Sequence, residues 1–280
     1  MRSFGHYETG ETSYFACQAD QRFGYCLYVP REFSRDQASR YALAVIVHGT
    51  NRTAQDYRSQ FREFAEEHRC VVLAPLFPSG ILEPRELNNY KFIKFHDIRY
   101  DRLLLSMIDE VAEYYGLNAA RFLLHGFSGG GQFVHRFLYL HPQRLLGVSI
   151  GAPGMVTLFD QERDWHCGVR GFEREFGVSP DIEAMRTVAV QTVIGAADTE
   201  TWEITIAPGN RLWMPGVNDA GHTRIERLDA LRASLERAGL RVRHDVVPGV
   251  AHHGYSLLEP VRQFFAEVLA GYRAAEAALP

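Results

Sequence analysis

Short, nearly continuous apolar runs recur along the chain, each ending on Gly, Pro, Asp or Asn. They are "YALAVIVHGTN" from Tyr41, "CVVLAP" from Cys70, "RFLLHGF" from Arg121, "LLGVSIGAPG" from Leu145, "TVAVQTVIGAAD" from Thr187 and "RVRHDVVPG" from Arg241. Strands covered by helices on both faces read this way, because neither side of such a strand meets water. Between the runs the period changes to that of a helix. "AQDYRSQFREFAEEH" sets Tyr57, Phe61, Phe64 and Ala65 on one stripe, and "DRLLLSMIDEVAEYYG" does so with Leu104, Ile108 and Val111 before a glycine stop. "GQFVHRFLYLHP", "RIERLDALRASLERAGL" and "SLLEPVRQFFAEVLAGY" complete the helical set. Strand and helix in alternation predict βαβ crossovers and a doubly wound, mostly parallel sheet with helices on both faces.

Three segments depart from the alternation. "ETSYFACQ" and "FGYCLYVP" predict an antiparallel hairpin at the sheet edge. Residues 154–186 and 199–222 are long excursions between core elements, of the sort that form lids or binding loops. All three tryptophans, Trp165, Trp202 and Trp213, fall in these excursions.

Composition narrows the field. A chain of 280 residues is long enough for a single α/β domain over 1–280. The net charge of −4 provides no field for nucleic acid. The N-terminal "MRSFGHYETGETSYF" has no apolar core of a secretory signal, and no run approaches a membrane span, so the expected location is cytoplasmic without membrane association. Cys17, Cys26, Cys70 and Cys167 lack zinc spacing, and no H-E-x-x-H appears among the twelve histidines, so neither metal nor cofactor is expected. A Cys17–Cys26 bridge across the hairpin is conceivable in geometry, but a reducing cytosol favours four free thiols.

Chemistry concentrates at "FLLHGFSGGGQF", where Gly126-Phe127-Ser128-Gly129-Gly130 satisfies G-x-S-x-G between a strand ending at Phe127 and a helix starting at Gly129. That is the setting of a nucleophile elbow. Gly126 and Gly130 remove side chains where strand and helix crowd together, while Gly129 offers its N–H beside Ser128. The role of Gly131 is left to close packing. A serine needs a base. Asp198 closes the strand "TVIGAAD", ahead of Glu200, Glu203 and Asp219 in the same excursion. His252 follows the last strand and has His253 as a competitor. Ser, Asp, His is the chain order this fold class uses. After "VIVHG", the N–H of Thr50 is placed to face that of Gly129, giving two donors for an oxyanion. His48 is expected to hold this loop and His125 to be a satisfied core histidine, while His96, His166 and His222 receive no role.

On these residues the chain resembles the α/β-hydrolases, and within them the esterase and polyester (polyhydroxybutyrate) depolymerase-like branch, from Ala42 to Leu269. "HGTNRTAQDYRSQFREFAEEHRCVVLAPLFP" is similar to the stretch that in such esterases runs from the oxyanion turn through the first helix to the next strand. The resemblance implies Ser128 as nucleophile, His252 as base, Asp198 as acid, and Thr50 and Gly129 as oxyanion donors. It implies a carboxylic ester, small or oligomeric, as substrate. Trp202 and Phe127 are the expected pocket residues. Amidases, peptidases and thioesterases share the machinery, so all remain open alternatives, as does a non-catalytic binding protein on the same fold.

Overall fold

A computed structural model describes residues 4–278. Its central sheet is built from β1 (Gly10–Glu11), β2 (Phe15–Ala16), β3 (Gly24–Val29), β4 (Ala42–Val47), β5 (Cys70–Leu76), β8 (Phe122–Phe127), β9 (Leu145–Gly151), β10 (Ala189–Gly195) and β11 (Val242–Val247). The spatial order is β1-β3-β5-β4-β8-β9-β10-β11, with β2 also on β3. From β5 to β11 every neighbouring pair is parallel, whereas β3 is antiparallel to β5 and β1 and β2 are antiparallel to β3. A separate two-stranded ribbon pairs β6 (Lys94–Phe95) with β7 (Ile98–Arg99).

The apolar runs become these strands for the expected reason. β8 and β9 are buried at every position, which requires cover on both faces. The longer helices supply it: α3 (Tyr100–Tyr115), α4 (Gly129–Leu140), α7 (Arg224–Arg237) and α8 (Leu258–Ala277). α3 stops where Gly116 turns left-handed at φ 78°. Thr223 caps α7 by accepting from Glu226 N at 3.2 Å.

The single helix expected from "AQDYRSQFREFAEEH" is broken at Phe61 into α1 (Ala54–Gln60) and α2 (Arg62–Glu67). Phe61 leaves helical geometry (φ −101°, ψ 8°) and turns fully into the core, with Phe64 and Phe265 at ring distances of 5.9 and 6.1 Å. Packing there outweighs helical continuity. The 154–186 excursion contains only α5 (Phe172–Phe176) and α6 (Ile182–Arg186), and residues 199–222 form neither helix nor strand. The sequence pattern did not set apart a third long connection, residues 77–99, which runs from β5 to α3 and carries the small ribbon.

Candidate active site

The elbow forms where β8 gives way to α4. Ser128 sits at φ 56°, ψ −113°, a region that costs a non-glycine residue roughly 1–3 kcal/mol and that persists only when the surroundings over-determine it. Here the surroundings do so. Ser128 N–H donates to Gly151 O of β9 at 2.8 Å, and Gln132 N–H returns to Ser128 O at 3.0 Å. A Cβ on Gly130 would fall on the backbone of β4 and its following turn, 2.8 Å from His48 O. One on Gly131 would run into Gly151 O, so Gly131 is what lets α4 press against the end of β9.

Three strand ends bring the expected triad together. His252 Nε2 lies 3.0 Å from Ser128 Oγ, and His252 Nδ1 lies 2.6 Å from Asp198 Oδ2. The Asp198 turn is tied to the His252 turn, since Ala196 N–H donates to Val247 O at 2.9 Å and Ala197 N–H to Val250 O at 2.8 Å. Asp198 is fully buried, and its second oxygen accepts from Arg224 Nη1 at 3.2 Å. Arg224 in turn pairs with Glu203. Thus Glu203, a competitor for the acid by sequence, meets Arg224 instead of the histidine. His253 turns away to Ser256 Oγ at 2.8 Å. Phe127 is buried and lays its ring on the His252 imidazole, 4.6 Å between centroids at 31°.

The loop after β4 is locked from behind. His48 is buried, its Nδ1 faces Gly49 O at 2.8 Å, and Phe77 N–H donates to its Nε2 at 3.0 Å. These contacts assign the neutral ring with the proton on Nδ1, and burial pushes the pKa down to about 3. Tyr90 Oη donates to His48 O at 3.0 Å. Arg52 spans Thr50 O (2.5 Å), Phe77 O (3.2 Å) and Leu87 O (2.8 Å). A Cβ built on Gly129 would lie 2.5 Å from Tyr90 Oη, 2.9 Å from Lys91 Cε and 3.2 Å from Thr50 Oγ1. The Thr50 side chain therefore stands beside Gly129. Tyr90 and Lys91 complete that corner, and sequence reasoning missed both because they come from the connection over 77–99.

The remaining candidates have the following surroundings. Trp202 is 77% exposed, and Trp213 is partly exposed as well. Trp165 packs edge-on against Phe172 and Phe176, which is a structural duty. His125 is buried with Nδ1 3.0 Å from Ser149 Oγ, but its Nε2 has no hydrogen-bond partner, so the expectation of a fully satisfied ring is only half met. His96 faces Glu83 Oε1 at 2.6 Å, His166 packs on Phe92, and His222 N–H donates to Glu226 Oε2 at 2.5 Å. All four cysteines are free. Among the described residues no cluster of three or more His, Cys, Asp or Glu side chains is arranged to hold a metal, and no helix is long and apolar enough to cross a membrane.

No protein-family model matches the chain. No curated protein matches it by sequence. Solved structures do match by shape. Poly(aspartic acid) hydrolase-1 from Sphingomonas sp. KT-1 superposes with a TM-score of 0.73 at 19% identity, covering 91% of this chain and 98% of that one. LpqC, a poly(3-hydroxybutyrate) depolymerase from Bordetella parapertussis, gives 0.68 at 23% identity over 87% of this chain and 83% of its own. The fluorophosphonate-binding serine hydrolase FphF from Staphylococcus aureus gives 0.58 at 14% identity, with 88% and 92% covered. With its mixed, mostly parallel sheet and this set of neighbours, the chain has the α/β-hydrolase fold.

Proposed function

We propose that this protein is a serine hydrolase that cleaves a carboxylic ester through an acyl-enzyme. One observation carries the reading: the hydrogen-bond chain Ser128 Oγ to His252 Nε2 at 3.0 Å and His252 Nδ1 to Asp198 Oδ2 at 2.6 Å. In the first half of the reaction, Ser128 Oγ attacks the carbonyl carbon as its proton passes to His252 Nε2. Asp198 accepts from Nδ1–H and fixes the ring. The N–H groups of Thr50 and Gly129 stabilise the oxyanion, each donor being worth roughly 3 kcal/mol in comparable sites. His252 then gives the proton to the departing alcohol. A water attacks the acyl-Ser128 with His252 again as base, releasing the acid and restoring the serine.

Structural neighbours that act on poly(3-hydroxybutyrate) and poly(aspartic acid) support an oligomeric substrate. The second of these also favours an amide as the alternative bond. The free thiols support the cytoplasm as the place of action. A non-catalytic role is disfavoured because the triad residues and the elbow glycines are all in contact with their partners.

A fluorophosphonate probe is expected to label Ser128 covalently. Ser128→Ala should lower 4-nitrophenyl butyrate hydrolysis by about 10^4-fold or more. Turnover undiminished in Ser128→Ala removes the assignment. Comparing matched 4-nitrophenyl esters and 4-nitroanilides separates ester from amide specificity.

A further inference from the structure

Lys91 is a buried lysine, 6% exposed, whose ammonium donates to a single acceptor among the described residues, Asn88 Oδ1 at 2.9 Å. An ammonium has three donors and a full charge, and burying it against one neutral amide is costly unless something else completes it. Among the described residues no carboxylate comes within ion-pair distance of it. A contact three residues away in sequence does not call for a charge, since a hydroxyl would serve Asn88 as well. Its position gives the reason: Lys91 Cε is 2.9 Å from where a Gly129 Cβ would stand, at the N-terminus of α4 and next to Ser128.

The surroundings add positive charge to positive charge. Arg136, wholly buried, holds Lys91 in place through Lys91 O at 2.7 Å, and its other acceptors are Gln132 O and Thr157 Oγ1. Arg52 also binds only neutral oxygens and has no ion-pair partner among the described residues. Arg224 alone is offset, by Asp198 and Glu203. This local excess of cations, offset in part by Glu203, opposes the overall charge of −4 and favours a ligand of negative charge beside Lys91.

We propose that the substrate carries a carboxylate near its scissile carbonyl and that the Lys91 ammonium receives it. Lys91 is then a specificity-determining residue for the reaction proposed above, and the inference rests on that reading. No bond is made or broken at Lys91. It pairs with the anion and orients the carbonyl toward Ser128.

The test compares kcat/KM for carboxylate-bearing esters with that for neutral esters of matched length. Mono-4-nitrophenyl adipate against 4-nitrophenyl hexanoate places the carboxylate on the acyl side. Carboxymethyl butyrate against propyl butyrate, followed by acid release, places it on the alcohol side. The wild-type enzyme should prefer the anionic member of at least one pair, and Lys91→Met should lower that preference ratio by about 10- to 100-fold. Lys91→Arg should restore part of the ratio. The rate of fluorophosphonate labelling at Ser128 reports whether each variant is folded with an intact triad. A wild type that labels and cleaves neutral esters but shows no preference in either pair overturns this inference alone. So does a Lys91→Met variant that loses activity on both members equally. If Ser128 neither labels nor supports turnover of any ester, the functional reading fails and this inference falls with it.

Discussion

The two sides of the site are made differently. On one side Ser128, Asp198 and His252 stand on turns that directly continue β8, β10 and β11, and backbone hydrogen bonds join those turns to one another and to the sheet. On the other side Tyr90 and Lys91 come up beside Gly129, the residue after the serine, from the long connection over 77–99, held by Arg52, Arg136 and His48. The first side is fixed by main chain, so its geometry is set once the sheet has formed. The second is fixed by side-chain contacts, chiefly guanidinium groups on carbonyl oxygens. On the proposed function, this contrast separates machinery that any acyl transfer needs from features that choose what is transferred.

The sharpest way to break the comparison is His252→Ala, for which ester turnover should fall by about 10^4-fold or more. The double variant with Ser128→Ala should fall scarcely further, because residues that act as a unit are not additive. Additive losses in single-turnover measurements would mean that the triad does not act as one device.

Arg224→Gln tests whether the triad side also depends on a side chain. Removing the cation that faces buried Asp198 should cost about 3 kcal/mol of stability, read by urea unfolding. It should also lower kcat by roughly 100-fold, with KM little changed, as Asp198 loses its fixed orientation. Full kcat at a temperature where the variant is folded would make Arg224 merely structural.

A finer test uses pH. Burial, then Arg52, pushes the Lys91 pKa down to about 8; Arg224 and Arg136 act in the same direction and Glu203 opposes them. The ammonium is therefore present below that pH and lost above it. The anionic-to-neutral kcat/KM ratio should be high at low pH and fall as pH rises through about 8. A pH dependence common to both esters cancels in the ratio because both are cleaved by the same residues. A ratio that stays flat up to pH values well above this point would detach Lys91 from substrate choice. The smallest effect is expected from His253→Ala, whose ring faces Ser256: activity should stay within about twofold of wild type. A loss comparable to that of His252→Ala would reassign the base.

What the sequence displayed and what it hid follow the same division. The positions of Ser128, Asp198 and His252 were legible because each needs a local arrangement with its own residue pattern: a tight turn with clearance glycines, an acid at a strand end, a histidine after a small-residue turn. Gly49 marked the turn after β4 on which Thr50 stands. Lys91, Tyr90 and Arg224 were not legible. A lysine in a polar loop and an arginine at the start of a helix look ordinary until the fold brings them beside Gly129 and Asp198. The break at Phe61 was hidden for a related reason, since helical periodicity runs unbroken through a residue whose burial against Phe265 decides the local geometry. Trp202 stands apart from these. Closeness in sequence to Asp198 suggested a pocket wall, yet the ring is mostly in solvent.

Gly131 has a bearing on how such a protein can change over generations. Because α4 touches the backbone of β9 there, and Gly130 touches that of β4, the serine cannot be shifted without moving three strands at once. The adaptable part of the molecule is therefore the loop whose side chains stand beside Gly129. There Lys91 can be exchanged for a residue of another charge or length while the turn beneath it stays as it is, which on the proposed function would let a lineage acquire new substrates without rebuilding the elbow.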